Sequence, residues 1–161
     1  PIGHTGLMGR QRTFDEAEVI VQSASVFLRQ GYEGTSIDDL LAATGLHRGS
    51  LYKAFASKRG LFLAALQRTL PNLVSGDNTH NSTDDDTRNT HRDTRDGTHK
   101  DTPSDAHDDA LDLLLVALLE LAPRDPEVRA LAAAALAHLS HDQAADLLGQ
   151  RLLARAHLAG H

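Results

Sequence analysis

The sequence predicts an all-α fold. It divides into a three-helix N-terminal head built around a helix-turn-helix, a long helix leading out of it, and a second helical region beyond a polar insert. Three observations predict this. Apolar residues recur at three- and four-residue steps behind Ser, Thr and Asp side chains placed to cap helices. Glycine or proline stands where most of these stripes stop. Finally, the 34 residues from Ser75 to Asp108 hold a single apolar side chain, Ala106. That is too little to offset an ordering cost of roughly 1–2 kcal/mol per residue, so the stretch is expected to be a linker or disordered. A chain of 161 residues suits one domain, or two small ones sharing a core.

Each element has its own signal. Pro1–Leu7 is expected to be a cloning remnant or upstream extension before a start at Met8, the sole methionine. Thr13-Phe14-Asp15-Glu16 has the form of a capping box, with Thr13 as the cap. Ala17, Ile20, Val21, Ala24, Phe27 and Leu28 then make a helical stripe that Gly31 stops. Thr35 or Ser36 caps a second helix with Asp38 and Asp39 in its first turn and Ile37, Leu40 and Leu41 on its apolar face. Gly45 ends it after about two turns, and Leu46 follows as a plug. A third short helix carries Leu51 and Phe55 inward. Ser57 caps a fourth, bearing Leu61, Phe62, Ala65, Leu66 and Leu70 and stopped by Pro71. Beyond the insert lies a leucine-rich run from Leu113 to Leu121. Asp125-Pro126 opens a helix with Val128, Leu131, Ala132, Ala135, Leu136 and Leu139 inward. A last run carries Ala144, Ala145, Leu147, Leu148, Leu152, Leu153 and Ala156.

Composition excludes several classes. With no cysteine there is no disulfide, thiolate metal site, iron–sulfur cluster or thiol sensor, which fits a reducing cytoplasm. No apolar run nears the roughly 20 residues of a membrane span, and no signal-peptide pattern is present. No membrane partner is therefore expected. There is no Gly-x-Ser-x-Gly, no phosphate-cradling glycine loop and no cysteine nucleophile, so no enzyme and no cofactor are expected. His80, His91, His99 and His107 lie among aspartates, and His138 and His141 are spaced three apart on an expected helix. Metal ligands need converging geometry and supporting hydrogen bonds, so no metal site is expected either.

The net charge of −6 argues against nucleic acid only as an average. Residues 1–70 carry eight Lys/Arg against six Asp/Glu; ten aspartates of the second half fall between Asp77 and Asp109. All six aromatics also lie at or before Phe62. Two short helices joined at a glycine turn are what a DNA-reading helix-turn-helix requires. The third helix leaves Arg48, Gly49, Ser50, Tyr52 and Lys53 off its core face. Arginine can bridge guanine O6 and N7, glycine admits close backbone approach, and lysine supplies charge beside phosphate. Arg10 and Arg12 could serve as a basic arm in a minor groove.

Four submotifs then occur in register: Gly31-Tyr32-Glu33-Gly34-Thr35-Ser36, the turn glycine Gly45, Gly49-Ser50-Leu51-Tyr52, and Phe55-Ala56-Ser57-Lys58. Through them residues 10–70 resemble the DNA-binding domain of the TetR/AcrR family of bacterial transcriptional regulators. The resemblance implies a TetR-like head over residues 8–56, a connecting helix over 57–74, the insert at 75–108, and a helical effector and dimerisation region over 109–161. It implies that Thr35 and Ser36 clamp phosphates and that Arg48, Gly49 and Tyr52 face bases. Ser50, Lys53 and Lys58 would hold the backbone, with His47 at the start of the reading helix. His47 departs from the family's small capping residue, and Arg59-Gly60 stands where an acidic residue is common.

Leu113–Ala130 resembles the effector segment of one TetR subgroup whose helix often opens with a glycine–cysteine sensor pair. Leu111 and Asp112 occupy those positions here, so that chemistry is not carried over. The partners implied are a double-stranded, roughly palindromic DNA operator, a second copy of the chain as homodimer, and a small-molecule effector that releases the DNA. Candidate effector-lining residues are Leu114, Leu118, Leu121, Leu131 and Leu136, an aromatic-free set suited to a small or aliphatic ligand. The competing class is a helical interaction module whose helix-turn-helix no longer reads DNA.

Overall fold

In the computed structural model, which describes residues 14–75 and 103–156, the described residues are helical, as expected. The head comprises α1 (Glu16–Gly34), α2 (Ile37–Thr44) and α3 (Arg48–Phe55). Then follow α4 (Lys58–Thr69) and the short α5 (Pro71–Ser75). After the insert come α6 (Pro103–Val116), a π-helical turn (Ala117–Leu121), α7 (Pro126–Leu136) and α8 (His141–Arg155). Among the described residues no helix is long and apolar enough to cross a membrane.

Most ends are set by local chemistry. Ser36 caps α2 in a full capping box with Asp39, Ser57 caps α4 by accepting the Gly60 N–H, and Asp125 caps α7. Gly45 ends α2 at φ 65°, ψ 10°, the left-handed region that glycine enters at little cost. The start of α1 differs from expectation. Asp15 is the cap, accepting the Ala17 and Glu18 N–H groups, while Thr13 lies outside the described residues. At Gly31 the backbone turns to φ 74°, ψ 176°, and one more helical turn follows before Thr35. The connecting segment is two helices rather than one, because the missing N–H of Pro71 interrupts the ladder and α5 begins there.

The larger of two core clusters among the described residues unites both halves. Phe27 and Phe62 are fully buried, their rings edge-to-face with centroids 5.1 Å apart, and Tyr32 packs against both. Burying each Phe contributes roughly 1.5–3 kcal/mol, and such ring pairs add about 0.5–1.5 kcal/mol. Leu113, Val116, Ala117, Leu121 and Val128 enter the same cluster, so α6 and the π-helical turn pack directly on α1 and α4.

Several expectations for the second half are corrected. Residues 103–108, assigned to the polar insert, form the start of α6; Asp108 is held there by an ion pair to Arg151 at 2.9 Å. The remainder of the insert, with His80, His91 and His99, lies outside the described residues, as do Arg10, Arg12 and the extension before Met8. Leu114, Leu118, Leu121 and Leu131 fill or flank the core. Leu136 borders a pocket of about 100 Å³ that it shares with Leu73, His107 and Leu147. Drug-sized ligands need about 300–1,000 Å³. His138 sits in the turn after α7 and His141 opens α8, so they do not share a helix. At the position of the subgroup's sensor pair, Leu111 is buried and Asp112 accepts from Arg151 at 2.7 and 2.9 Å.

Candidate nucleic-acid interface

The reading helix is positioned from inside. Leu51 and Phe55 are buried, which fixes the roll of α3 and turns Arg48, Gly49, Tyr52 and Lys53 outward together. Tyr52 is 42% exposed, and a Cβ added at Gly49 would meet open space. His47 stands at the N-terminus of α3 with no side-chain cap bond. Ser50 is half-buried on the flank. Its amide bonds the His47 carbonyl at 2.9 Å.

The helix before it presents Ser36, exposed, at its tip. The Ser36 hydroxyl accepts the Asp39 N–H at 3.1 Å and donates to the Asp39 carboxylate at 2.6 Å. Donation from the Ser36 hydroxyl, and from the Ser36 N–H at 2.8 Å, holds the Asp39 carboxyl below its ordinary range. Arg48 is not idle in the free protein: its Nη2 donates to Asp38 Oδ1 at 2.6 Å, with both side chains more than half exposed.

Two residues expected to touch phosphate are turned inward. Thr35 is buried, and its hydroxyl donates to the Gly31 carbonyl at 2.6 Å. Lys58 Nζ donates to the Tyr32 and Thr35 carbonyls, both at 2.9 Å, and sits 4.3 Å above the Tyr32 ring centroid. Both residues lock the corner between α1 and α2. They thereby position Ser36 and α2.

Sequence reasoning missed several joints between the head and the second half. Arg59 forks onto Asp125 at 2.5 and 2.9 Å and reaches Glu127 at 2.7 Å, tying the start of α4 to the start of α7. Glu120, in the π-helical turn, accepts the Glu33 N–H at 2.7 Å. The signal for the first was visible: an arginine at the first turn of a helix is unfavourable by itself and calls for an acidic partner.

The Arg59 guanidinium holds the Asp125 carboxyl down at about 2, while the carboxylates push the Arg59 value up. A carboxyl whose folded value is depressed stabilises the fold above its unfolded value, near 3.9, and loses that contribution as pH falls through about 2. Wild type is thus expected to lose melting temperature between roughly pH 4 and 2. Asp125→Asn, measured by circular dichroism against pH, should start lower at pH 7 and show a shallower acid limb. Equal acid slopes in the two proteins would contradict the pairing.

Residues 19–65 match the family described as bacterial regulatory proteins, tetR family. The chain is 48% identical over 63 residues to the uncharacterized HTH-type transcriptional regulator YezE of Bacillus subtilis, covering 39% of this chain and 32% of that protein. It is 42% identical over 60 residues to the HTH-type transcriptional repressor ComR of Escherichia coli, covering 37% and 29%. It is 37% identical over 59 residues to the HTH-type transcriptional activator FasR of Mycolicibacterium smegmatis, covering 37% and 27%. The matched segment spans about a third of the length of these relatives. No solved structure matches the chain.

Proposed function

We propose, from the match of residues 19–65 to the tetR family of bacterial regulatory proteins, that the chain is a member of that family and binds a roughly palindromic DNA operator as a homodimer, as a repressor released by a small-molecule effector. The observation that carries this proposal is the outward face of α3, where Arg48, Gly49, Tyr52 and Lys53 share one side of a helix anchored by Leu51 and Phe55. Arg48 and Tyr52 read base edges, Gly49 lets the helix backbone approach, and Lys53, Ser50 and Ser36 hold phosphates. Each half-site takes one α3, the two lying one helical turn or more apart.

Support for pairing of two copies comes from α8. It has no buried residue, and Leu152 and Leu153 are 44% and 48% exposed. The effector acts through α6–α8. A ligand that shifted α7 would pull on Arg59 and hence on α4 and the head. Support for the repressor sign is the likeness to ComR, although the head is equally of the kind found in the activator FasR.

The test is a mobility shift at several salt concentrations with duplexes selected by the protein from a random pool. Arg48→Ala is expected to weaken the selected duplex by about 1–3 kcal/mol and relax one base position. Lys53→Ala should weaken all duplexes alike and lower the slope of log K against log salt by about 1. If wild type and Arg48→Ala bind selected and random DNA equally, the chain is a helical interaction module instead.

A further inference from the structure

The Arg48–Asp38 pair joins the reading helix to the helix before it, and no part of the fold requires it. Asp38 and Asp39 both stand in the first turn of α2. Asp39 is committed to the capping box with Ser36, so the helix end is already served. Asp38 instead reaches across the Gly45 turn and accepts from Arg48 Nη2 at 2.6 Å, with the two side chains 79% and 55% exposed. An exposed pair of this kind adds little to stability.

Its geometry suits another task. A guanidinium has five N–H donors in a rigid plane, and Asp38 takes one of them. The donors left on the fork still allow two parallel bonds to guanine O6 and N7. A pinned Arg48 loses less rotamer freedom on binding than a wandering one. The same carboxylate, close to the duplex, is repelled by phosphate whenever the complex forms without the guanine contact. From this juxtaposition we infer that Asp38 is a specificity-determining residue, which aims Arg48 at a base edge and weakens binding held by phosphate contacts alone.

This inference rests on the reading of α3 as a DNA-contacting helix, and the experiment separates the two. Full-length wild type selects duplexes from a random pool. Affinities are then measured for an enriched duplex and for a random duplex of equal length, with wild type, Asp38→Asn, Arg48→Ala and the double variant. Asp38→Asn is expected to bind the random duplex at least as tightly as wild type. Its ratio of selected to random affinity should fall about five- to tenfold. Sequencing of the pool it selects should show relaxed preference at the same base position as Arg48→Ala. In the Arg48→Ala background, Asp38→Asn should change the ratio less than about twofold.

Should Asp38→Asn melt early, Asp38→Glu keeps the first-turn charge while moving the carboxylate by one methylene. It should leave random-duplex affinity unchanged and still lower the ratio. An unchanged or increased ratio in Asp38→Asn, or an equal fall in the Arg48→Ala background, overturns the role of Asp38. A wild type that prefers no sequence overturns the DNA-reading role of α3, and this inference with it.

Discussion

Replacing Gly60 by alanine is expected to lower the melting temperature by about 6–12 °C, the largest single-methyl effect anticipated in this protein. An ideal Cβ at Gly60 would lie 2.0 Å from the Phe55 carbonyl oxygen, far inside van der Waals contact. Backbone, not a flexible side-chain end, must therefore move. That carbonyl is already engaged, accepting the Ser57 N–H at 2.7 Å, and the next residue, Ala56, is held at a positive φ of 62°. The Ser57 hydroxyl in turn accepts the Gly60 N–H at 3.0 Å. Relief requires turning the carbonyl away or sliding α4 off α3, and either move disturbs the burial of Phe55. Overpacking of this severity costs about 3 kcal/mol or more. Calorimetry on the two proteins decides it: a shift under 2 °C would mean that the α3–α4 corner is much softer than its geometry implies. Because Phe55 sets the roll of α3, DNA affinity should fall together with stability.

Gly60 also marks the boundary of what the sequence makes legible. At that position the sequence registers only a missing acidic residue, whereas the cause is the approach of a carbonyl five residues back. The features that were readable are local. Ser36, Gly45, Ser57 and Asp125 act on backbone groups within four residues, so their chemistry and spacing identify them. Leu51 and Phe55 follow from helical periodicity, and with them the outward set of α3. What was not readable joins distant segments. Arg59 finds Asp125 66 residues later, and Glu33 finds Glu120 87 residues later. Lys58 and Thr35 carry the right atoms for phosphate, but the carbonyls at the end of α1 take them first. A leucine-rich stripe likewise cannot distinguish residues that line a cavity from residues that fill it, which is why Leu114 and Leu121 proved to be core.

The second large effect is expected at Gly31. Alanine there should cost about 2–4 kcal/mol, from two sources that can be measured apart. The first is conformational: φ 74° with ψ 176° is a region essentially restricted to glycine, so a Cβ is strained however much room it has. The second is contact, since that Cβ would lie 2.5 Å from Glu120 Oε1. Glu120 is a flexible side chain and could swing aside, but only by releasing the Glu33 N–H it accepts at 2.7 Å. In a Glu120→Ala background the contact part disappears and the strain part remains. Gly31→Ala should thus cost less in that background than in wild type, and the double variant should be more stable than the sum of the single changes predicts. Strict additivity would mean that Glu120 does not feel position 31. The consequence reaches the DNA-facing side, because the Gly31 carbonyl accepts the Thr35 hydroxyl at 2.6 Å and so fixes where α2 begins. A variant that folds with this carbonyl turned away should present Ser36 and Arg48 in altered register. Its affinity for selected duplexes should then fall by more than its affinity for random ones, even at temperatures where it is fully folded.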